Sequence, residues 1–210
     1  WRAAFKPLVD RIADTDIRLQ WFCCDRSTGV DTEDKDGKPI RVTLLRDTKT
    51  PASVEYQAVK FIGTGRENIQ AGTFSGWELG DYIYMRSEEA YLIKIEALAH
   101  KNSPDAVTEL ENFMKTRQPD YDYTFTNKAD LIEEIIYQKR VEFWGEGLEY
   151  IDNRRLNIPV DRTDETWGAE NNNHLSAGKF RYNQEERPFL YQLPLSEIEN
   201  NSQLSPTDQN

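Results

Sequence analysis

Two glutamates come nearest to a catalytic arrangement in this sequence. Glu89 and Glu96 lie seven residues apart in a segment with helical periodicity, which separates them by about 10.5 Å along a helix axis. Glycosidases hold their two carboxylates about 5–5.5 Å apart when they retain configuration and about 6.5–9.5 Å apart when they invert it. Neither geometry fits, and Arg86 stands three residues before Glu89, where an ion pair is available. We therefore predict a structural role for these carboxylates.

Residues for metal, nucleophilic or cofactor chemistry are scarce. Cys23 and Cys24 are adjacent, and His100 and His174 are the two histidines, so four spaced zinc ligands cannot be drawn from these types. Nothing beside either histidine resembles a nucleophile elbow. The glycine-containing loop 63–68 lacks the third glycine of a dinucleotide site. The sequence predicts no metal, no cofactor and no enzymatic activity.

The overall charge narrows the range of partners. A formal net charge of −11 argues against nucleic acid, because a phosphate backbone needs a basic face. No run of about 18 apolar residues exists, so no helix is expected to span a membrane.

Aromatic residues give the one positive sign of a ligand surface. The chain holds five Trp, ten Tyr and nine Phe on a strongly polar background. Any single ring is by default part of the core, but a ring in a loop can stack on a sugar while polar neighbours bind its hydroxyls. Predicted loops contain Trp1, Trp21, Phe74, Trp77, Tyr121, Tyr123 and Trp167. We take Trp1, Trp21, Phe74 and Trp77 as candidate glycan-binding residues, with Asp25 and Arg26 for hydroxyl selectivity.

The positioning elements are predicted to be two successive helical hairpins over residues 84–156. The first helix runs from Tyr84 to about His100, and the second runs to about Arg117 after Ser103, a good N-cap. The apolar positions of these helices are Ala90, Tyr91, Ile93, Ile95, Ala97 and Leu98 in the first, and Ala106, Val107, Leu110, Phe113 and Met114 in the second.

The second hairpin is bounded by a cap and by glycines. Asn127 is predicted to cap the third helix, and Gly145 and Gly147 interrupt the chain before a fourth helix over 148–156. The apolar face of the third helix is predicted to hold Leu131, Ile132, Ile135, Ile136 and Phe143.

The flanking regions have weaker patterns. Residues 1–83 read as a loop-rich, ligand-facing region with short strands near 42–45 and 56–62, a polar loop at 25–39 and a long glycine-rich loop at 63–80. Residues 157–210 read as an irregular segment that packs on the helices.

Three segments, in order, resemble motifs of the SusD/RagB family of Bacteroidetes outer-membrane nutrient-binding lipoproteins. Residues 84–98, YMRSEEAYLIKIEAL, look like the family's MRxxExYLIxxEAL helix. Residues 139–155, KRVEFWGEGLEYIDNRR, are similar to RRxELxxEGxRxxDxxR, and LPLSEIENN within 189–201 is close to IPxxExxxN. Residues 16–19, DIRL, resemble an upstream DPRL. Gln138, Leu148 and Glu149 depart from the family's usual Glu, His and Arg.

The resemblance implies a fold class and a function. It implies a mainly α fold of tetratricopeptide-like helical hairpins with long loops and a few short strands. It also implies a non-catalytic, cell-surface glycan-binding protein that captures nutrient for a SusC-like TonB-dependent transporter at the outer membrane. Family members are longer and carry a lipid anchor near the N-terminus, so we expect this chain to correspond to the C-terminal portion.

Within these motifs, five charged residues are predicted to form ion pairs that hold the hairpins together: Arg86, Glu89, Glu96, Arg140 and Glu142. Two alternative functions stay open at this point. The same fold could take a non-sugar nutrient such as a peptide, or the chain could be a helical-repeat scaffold that binds only protein.

Overall fold

The computed structural model describes residues 4–23, 30–33, 39–42, 57–58, 60, 84–186, 193–205 and 207. The chain divides into two compact units, Trp1–Glu142 and Phe143–Asn210. The boundaries predicted from sequence, after residues 83 and 156, stay a prediction. No helix among the described residues is long and apolar enough to cross a membrane.

The first unit combines helices with two small antiparallel sheets. Strand β1 pairs with β4 through Phe22 and Ala58, and β2 pairs with β3 from Val30 opposite Val42. Its elements are α1 (Lys6–Asp10), a 3-10 turn (Ile17–Trp21), β1 (Phe22–Cys23), β2 (Val30–Glu33), β3 (Pro39–Val42), β4 (Gln57–Ala58), α2 (Ser87–His100), α3 (Asp105–Lys115) and α4 (Lys128–Glu142).

The strands differ in part from the prediction. Strand β2 lies inside the stretch that was predicted to be a polar loop, because an antiparallel partner supplies backbone hydrogen bonds that composition does not reveal. Strand β4 falls within the predicted strand 56–62. Of the strand predicted at 42–45, Val42 ends β3 and the other residues lie outside the described part of the chain.

Helices α2 and α3 form the predicted hairpin. Asn102 adopts a left-handed φ of 55° after α2, and Ser103 Oγ accepts the Asp105 backbone N–H over 3.3 Å at the start of α3. Helix α2 packs against both α3 and α4, and the Tyr91 and Phe113 rings stack with centroids 5.9 Å apart. These bounds confirm the predicted helices and the mainly α fold.

The buried face of α2 is rotated from the predicted one. Leu92, Ile95, Glu96 and Ala99 are buried, whereas Ile93 is 49 % exposed. Leu92, Ile95 and Ala99 follow helical spacing, and the charged Glu96 is buried beside them. The prediction was wrong in placing Ile93 on the apolar face and in leaving Leu92 and Ala99 out of it.

Helix α4 begins as predicted. Asn127 Oδ1 accepts the backbone N–H groups of Ala129 (2.8 Å) and Asp130 (3.1 Å), which satisfies donors that the first turn leaves without a helical partner. The helix buries an apolar face together with a set of polar side chains: Leu131, Ile135, Ile136 and Val141, with Glu134, Gln138, Lys139 and Glu142.

The second unit contains short elements. Its first helix follows Gly147, whose φ of +86° is a conformation that favours glycine. Strands β5 and β6 pair antiparallel, with Val160 opposite Tyr182. The elements are α5 (Leu148–Arg155), β5 (Val160–Asp161), α6 (Asp164–Trp167), a 3-10 turn (Ser176–Gly178), β6 (Arg181–Tyr182) and α7 (Leu195–Asn200).

Candidate functional site

Among the candidate glycan-binding residues, the structure describes Trp21. It ends the 3-10 turn and is half-buried. The Lys60 ammonium lies 4.8 Å from the centroid of the Trp21 ring and donates to the Glu142 carbonyl oxygen over 2.5 Å. The indole is therefore held beside the end of α4 by a cation–π contact. The other candidates, Trp1, Asp25, Arg26, Phe74 and Trp77, lie outside the described residues.

The turn that carries Trp21 is built on one buried ion pair. Asp16 caps the turn by accepting the Arg18 backbone N–H over 2.8 Å. The same carboxylate receives the Arg18 guanidinium in a fork, with Nε to Oδ1 at 3.0 Å and Nη2 to Oδ2 at 2.6 Å. Arg18 is 1 % exposed, so this two-point contact compensates a charge that is removed from water.

Glu142, at the end of α4, is surrounded by three guanidinium groups. Its carboxylate lies 2.8 Å from Arg86 Nη1, 3.4 Å from Arg117 Nη2 and 3.4 Å from Arg18 Nη1. Burial acts to raise the pKa of Glu142, but the hydrogen bonds from Arg86 and Arg117 and the arginine charges outweigh it and hold the pKa below its usual value. Glu142 is thus an ionised structural anion.

A chain of hydrogen bonds continues from Arg18 along α4. Gln138 Oε1 accepts from Arg18 Nη2 over 2.5 Å, while Gln138 Nε2 donates to Glu134 Oε1 over 2.6 Å. Glu134 also accepts from Arg11 Nη2 at 2.5 Å and from the Tyr121 hydroxyl at 3.3 Å. The Gln138 amide thus connects a cation on one side with an anion on the other.

The five residues predicted to form ion pairs are placed as follows. Arg86 contacts Glu142, and Glu96 accepts from Lys139 Nζ over 3.1 Å. Arg140 is half-buried on α4. Glu89 is half-buried and makes no ion pair with a described residue.

The pair expected between Arg86 and Glu89 is replaced by one between Arg86 and Glu88, at 3.7 Å. Arg86 has φ −119° and ψ 152°, so it lies before the helix and the helical i, i+3 spacing does not apply to it.

Sequence reasoning missed most of the network around Glu142. Asp16 and Arg18 were noticed as part of the DIRL motif, but the resemblance did not predict which residues they contact. Arg117 lies at the predicted end of a helix and Lys139 lies within a motif, but no spacing in the sequence indicated which carboxylate each of them contacts. Arg117 lies 25 residues and Arg18 lies 124 residues from Glu142 along the chain. Local sequence patterns do not predict contacts over such separations.

A cleft of about 200 Å³ opens in the first unit, between the start of the chain and α4. Three tyrosines line it, together with Arg11 and Glu134. Burial raises the pKa of Tyr121, with the Glu134 charge and hydrogen bond acting in the same direction. Burial also raises the pKa of Tyr137, and the Arg11 guanidinium, 3.9 Å above that ring, opposes it in part. These phenols stay neutral at any ordinary pH.

The described residues contain no cluster of side chains suited to bind a metal ion. No group of three or more His, Cys, Asp or Glu side chains is placed there to hold a metal ion. His100 lies 3.6 Å from Glu96 on α2. In the second unit, burial lowers the pKa of His174, and the charges of Arg162 and Lys179 lower it further.

Comparisons with known proteins agree with this architecture. The model of the SusD family matches residues 32–210. A solved structure, a SusD-like carbohydrate binding protein from Bacteroides vulgatus ATCC 8482, superposes with a TM-score of 0.60 at 24 % sequence identity. The match covers 94 % of this chain and 40 % of that one, so the chain spans less than half the length of this relative. No curated protein sequence matches the chain.

Proposed function

Because the chain belongs to the SusD family, we propose that it binds a glycan without cleaving it, as part of a nutrient-capture protein at the cell surface. The observation that carries the proposal is the family match over residues 32–210. The solved relative, which shares the fold, is described as a carbohydrate binding protein.

Trp21 is the residue on which the proposal can be tested within the described structure. An indole offers a large apolar face for a sugar ring, and it loses little conformational entropy on binding when it is already held. The contact with Lys60 supplies that restraint. Trp1, Phe74 and Trp77 are proposed as further stacking residues, and Asp25 and Arg26 as partners for sugar hydroxyls.

Carboxylate chemistry supports binding rather than hydrolysis. A glycosidase needs a general acid with a raised pKa. The buried Glu142 has a lowered pKa, and the buried Glu96 contacts Lys139. The lowered pKa of Glu142 does not favour proton donation to a leaving group.

The family also suggests the destination of the bound sugar. We propose that a SusC-like TonB-dependent transporter receives it at the outer membrane. Co-purification of such a transporter with the full-length protein tests this partnership. A transporter bound tightly with no glycan retained would favour a protein-binding scaffold instead.

Glycan binding itself is tested by affinity electrophoresis of the 210-residue chain on gels containing single polysaccharides. We expect at least one polysaccharide to retard the wild type and Trp21→Ala to abolish the retardation. Trp167→Ala is the matched control, because Trp167 is a partly exposed indole in the second unit. Lack of retardation on every polysaccharide overturns glycan binding, and release of reducing sugar overturns the absence of catalysis.

A further inference from the structure

The cleft in the first unit has the size of a site for one small molecule. Its volume of about 200 Å³ lies below the roughly 300–1,000 Å³ that is common for drug-sized ligands. Its walls come from the link between α3 and α4, from α4 and from the residues after α1. Trp21 does not line it. We call it the tyrosine cleft, defined by Arg11, Tyr121, Asp122, Tyr123, Glu134 and Tyr137.

The aromatic walls of the tyrosine cleft are fixed by their hydroxyl groups. Tyr121 donates to Glu134, Tyr123 donates to Asp130 over 3.0 Å, and Tyr137 donates to the Leu8 carbonyl oxygen over 3.4 Å. With their hydroxyls engaged, the three side chains are held rigidly. Tyr123, at 36 % exposed, offers the most open ring, whereas Tyr121 and Tyr137 are 7 % and 8 % exposed. Rigid rings of this kind suit a ligand that has an apolar face of its own.

The charges of the tyrosine cleft argue against an ionic ligand. A cation would seek the face of an aromatic ring, but the Arg11 guanidinium already lies 3.9 Å from the Tyr137 centroid and pairs with Glu134. An anion would meet the carboxylates of Asp122 and Glu134. The arrangement therefore favours a neutral molecule.

Two lining groups remain able to bind hydroxyls. Arg11 is 41 % exposed and has five N–H donors, of which one contacts Glu134. Asp122 is exposed and makes no hydrogen bond or ion pair with any residue that the structure describes. A donor and an acceptor beside apolar rings match the alternating hydroxyls and apolar face of a sugar ring.

We propose that the tyrosine cleft is a second binding site that takes a single neutral hydroxylated ring, with Asp122 accepting from its hydroxyls and Arg11 donating to them. The proposal rests on the proposed function in identifying the ring as a sugar residue. It adds a site that is separate from Trp21.

The test is a titration of the isotope-labelled 210-residue chain with D-glucose, D-galactose, D-xylose and N-acetyl-D-glucosamine, followed by NMR. We expect at least one sugar to shift the amide signals of residues 121–123 at millimolar concentration. Asp122→Ala is expected to weaken this binding about tenfold, the effect of losing a hydrogen bond to a charged group. Asp14→Ala is the matched control, since Asp14 is exposed and does not line the cleft.

Two further results separate this proposal from the one about Trp21. Trp21→Ala is expected to leave the monosaccharide shifts unchanged while it abolishes retardation on polysaccharide gels. If polysaccharides retard the wild type but no monosaccharide shifts residues 121–123, the tyrosine cleft is not a sugar site. The same conclusion holds if Asp122→Ala binds like the wild type, or if tetramethylammonium or phosphate produces the shifts instead.

Discussion

Gln138 lies one helical turn after Glu134 on α4 and donates its amide Nε2 to Glu134 Oε1 over 2.6 Å. The same side chain accepts from Arg18 through its other terminal atom. A primary amide can serve a cation and an anion at once, whereas a carboxylate only accepts when ionised. The identity of residue 138 therefore decides whether the buried carboxylate of Glu134 has an amide donor beside it in addition to Arg11 and Tyr121.

Gln138→Glu should destabilise the protein at neutral pH. The substitution removes a donor and places two carboxylates in contact, so one of them takes a raised pKa. We expect a loss of about 1–3 kcal/mol of unfolding free energy, the cost of a buried polar group without its partner. A group with a raised folded-state pKa contributes stability below its unfolded pKa and loses it as pH rises. The deficit should therefore shrink as pH falls.

Urea unfolding of Gln138→Glu across a range of pH measures this effect. Gln203→Glu is the control, because Gln203 is exposed and surface changes are usually within about 0.5 kcal/mol. Equal stability of Gln138→Glu and wild type at every pH would show that the amide is not required.

Glu142→Gln should be the most damaging change to α4. It removes the charge that three arginines share, and breaking a buried ion pair from one side costs about 3–5 kcal/mol. Glu111→Gln is the matched control, since Glu111 forms an exposed pair with Lys115 at 3.6 Å and such pairs contribute about 0.3–0.5 kcal/mol. Denaturant midpoints compare the two variants. A similar shift for both would refute the buried network.

The same carboxylate predicts how stability responds to acid. The pKa of Glu142 lies below its usual value of 4.5 in the folded protein, so its contribution is present above that value. The contribution is lost as pH falls through the lowered pKa. We expect the stability difference between wild type and Glu142→Gln to narrow below about pH 4.5, as measured by urea titrations in acid. A constant difference over that range would contradict the linkage.

Asn127→Ala tests the cap of α4. The substitution removes the oxygen that accepts the backbone N–H groups of Ala129 and Asp130. We expect it to lower the free energy of unfolding by about 0.5–2 kcal/mol. Asn112→Ala makes the same chemical change at an exposed position inside α3, where alanine is the better helix former. We expect the two substitutions to shift the melting temperature in opposite directions. Melting-temperature shifts of the same sign and size for both variants would show that Asn127 does not stabilise the helix as a cap.

Gly147→Ala tests backbone conformation without steric contact. A Cβ at residue 147 meets nothing within 4 Å, but its φ of +86° is costly for a residue with a side chain, by about 1–2 kcal/mol. Gly178 has equally open space without a positive φ, so Gly178→Ala should be neutral or slightly stabilising. Thermal unfolding distinguishes the two. A harmless Gly147→Ala would show that this turn relaxes.

Local signals in the sequence were enough for the helices. Asn127 was recognised as a cap, the region near His100 as a helix end, and Gly147 as an interruption, because each acts within a few residues. The ion-pair role of Glu96 was predicted, but its partner was not, since Lys139 lies 43 residues further along the chain. A carboxylate is buried in a core only when a cation or a hydrogen-bond donor pairs with it, and tertiary packing decides which residue that is.

The candidate site was less accessible to sequence reasoning. Tyr121 and Tyr123 were noticed as aromatics in a loop, but their cleft depends on Arg11 and Tyr137, which no periodic pattern links to them. The contact between Trp21 and Lys60 has the same origin. Side chains from distant segments meet only through the fold, so their chemistry becomes readable once the fold is known.

The contact between Arg18 and Glu142 spans 124 residues of chain. Such a contact closes a long loop, whereas the α2–α3 hairpin closes within a short one, and loop-closure entropy favours the shorter. We therefore expect the α2–α3 hairpin to form first and the N-terminal segment to dock afterwards. Trp21 reaches its position beside α4 only at that late step, so the surface proposed to bind a glycan is completed after the helical framework exists.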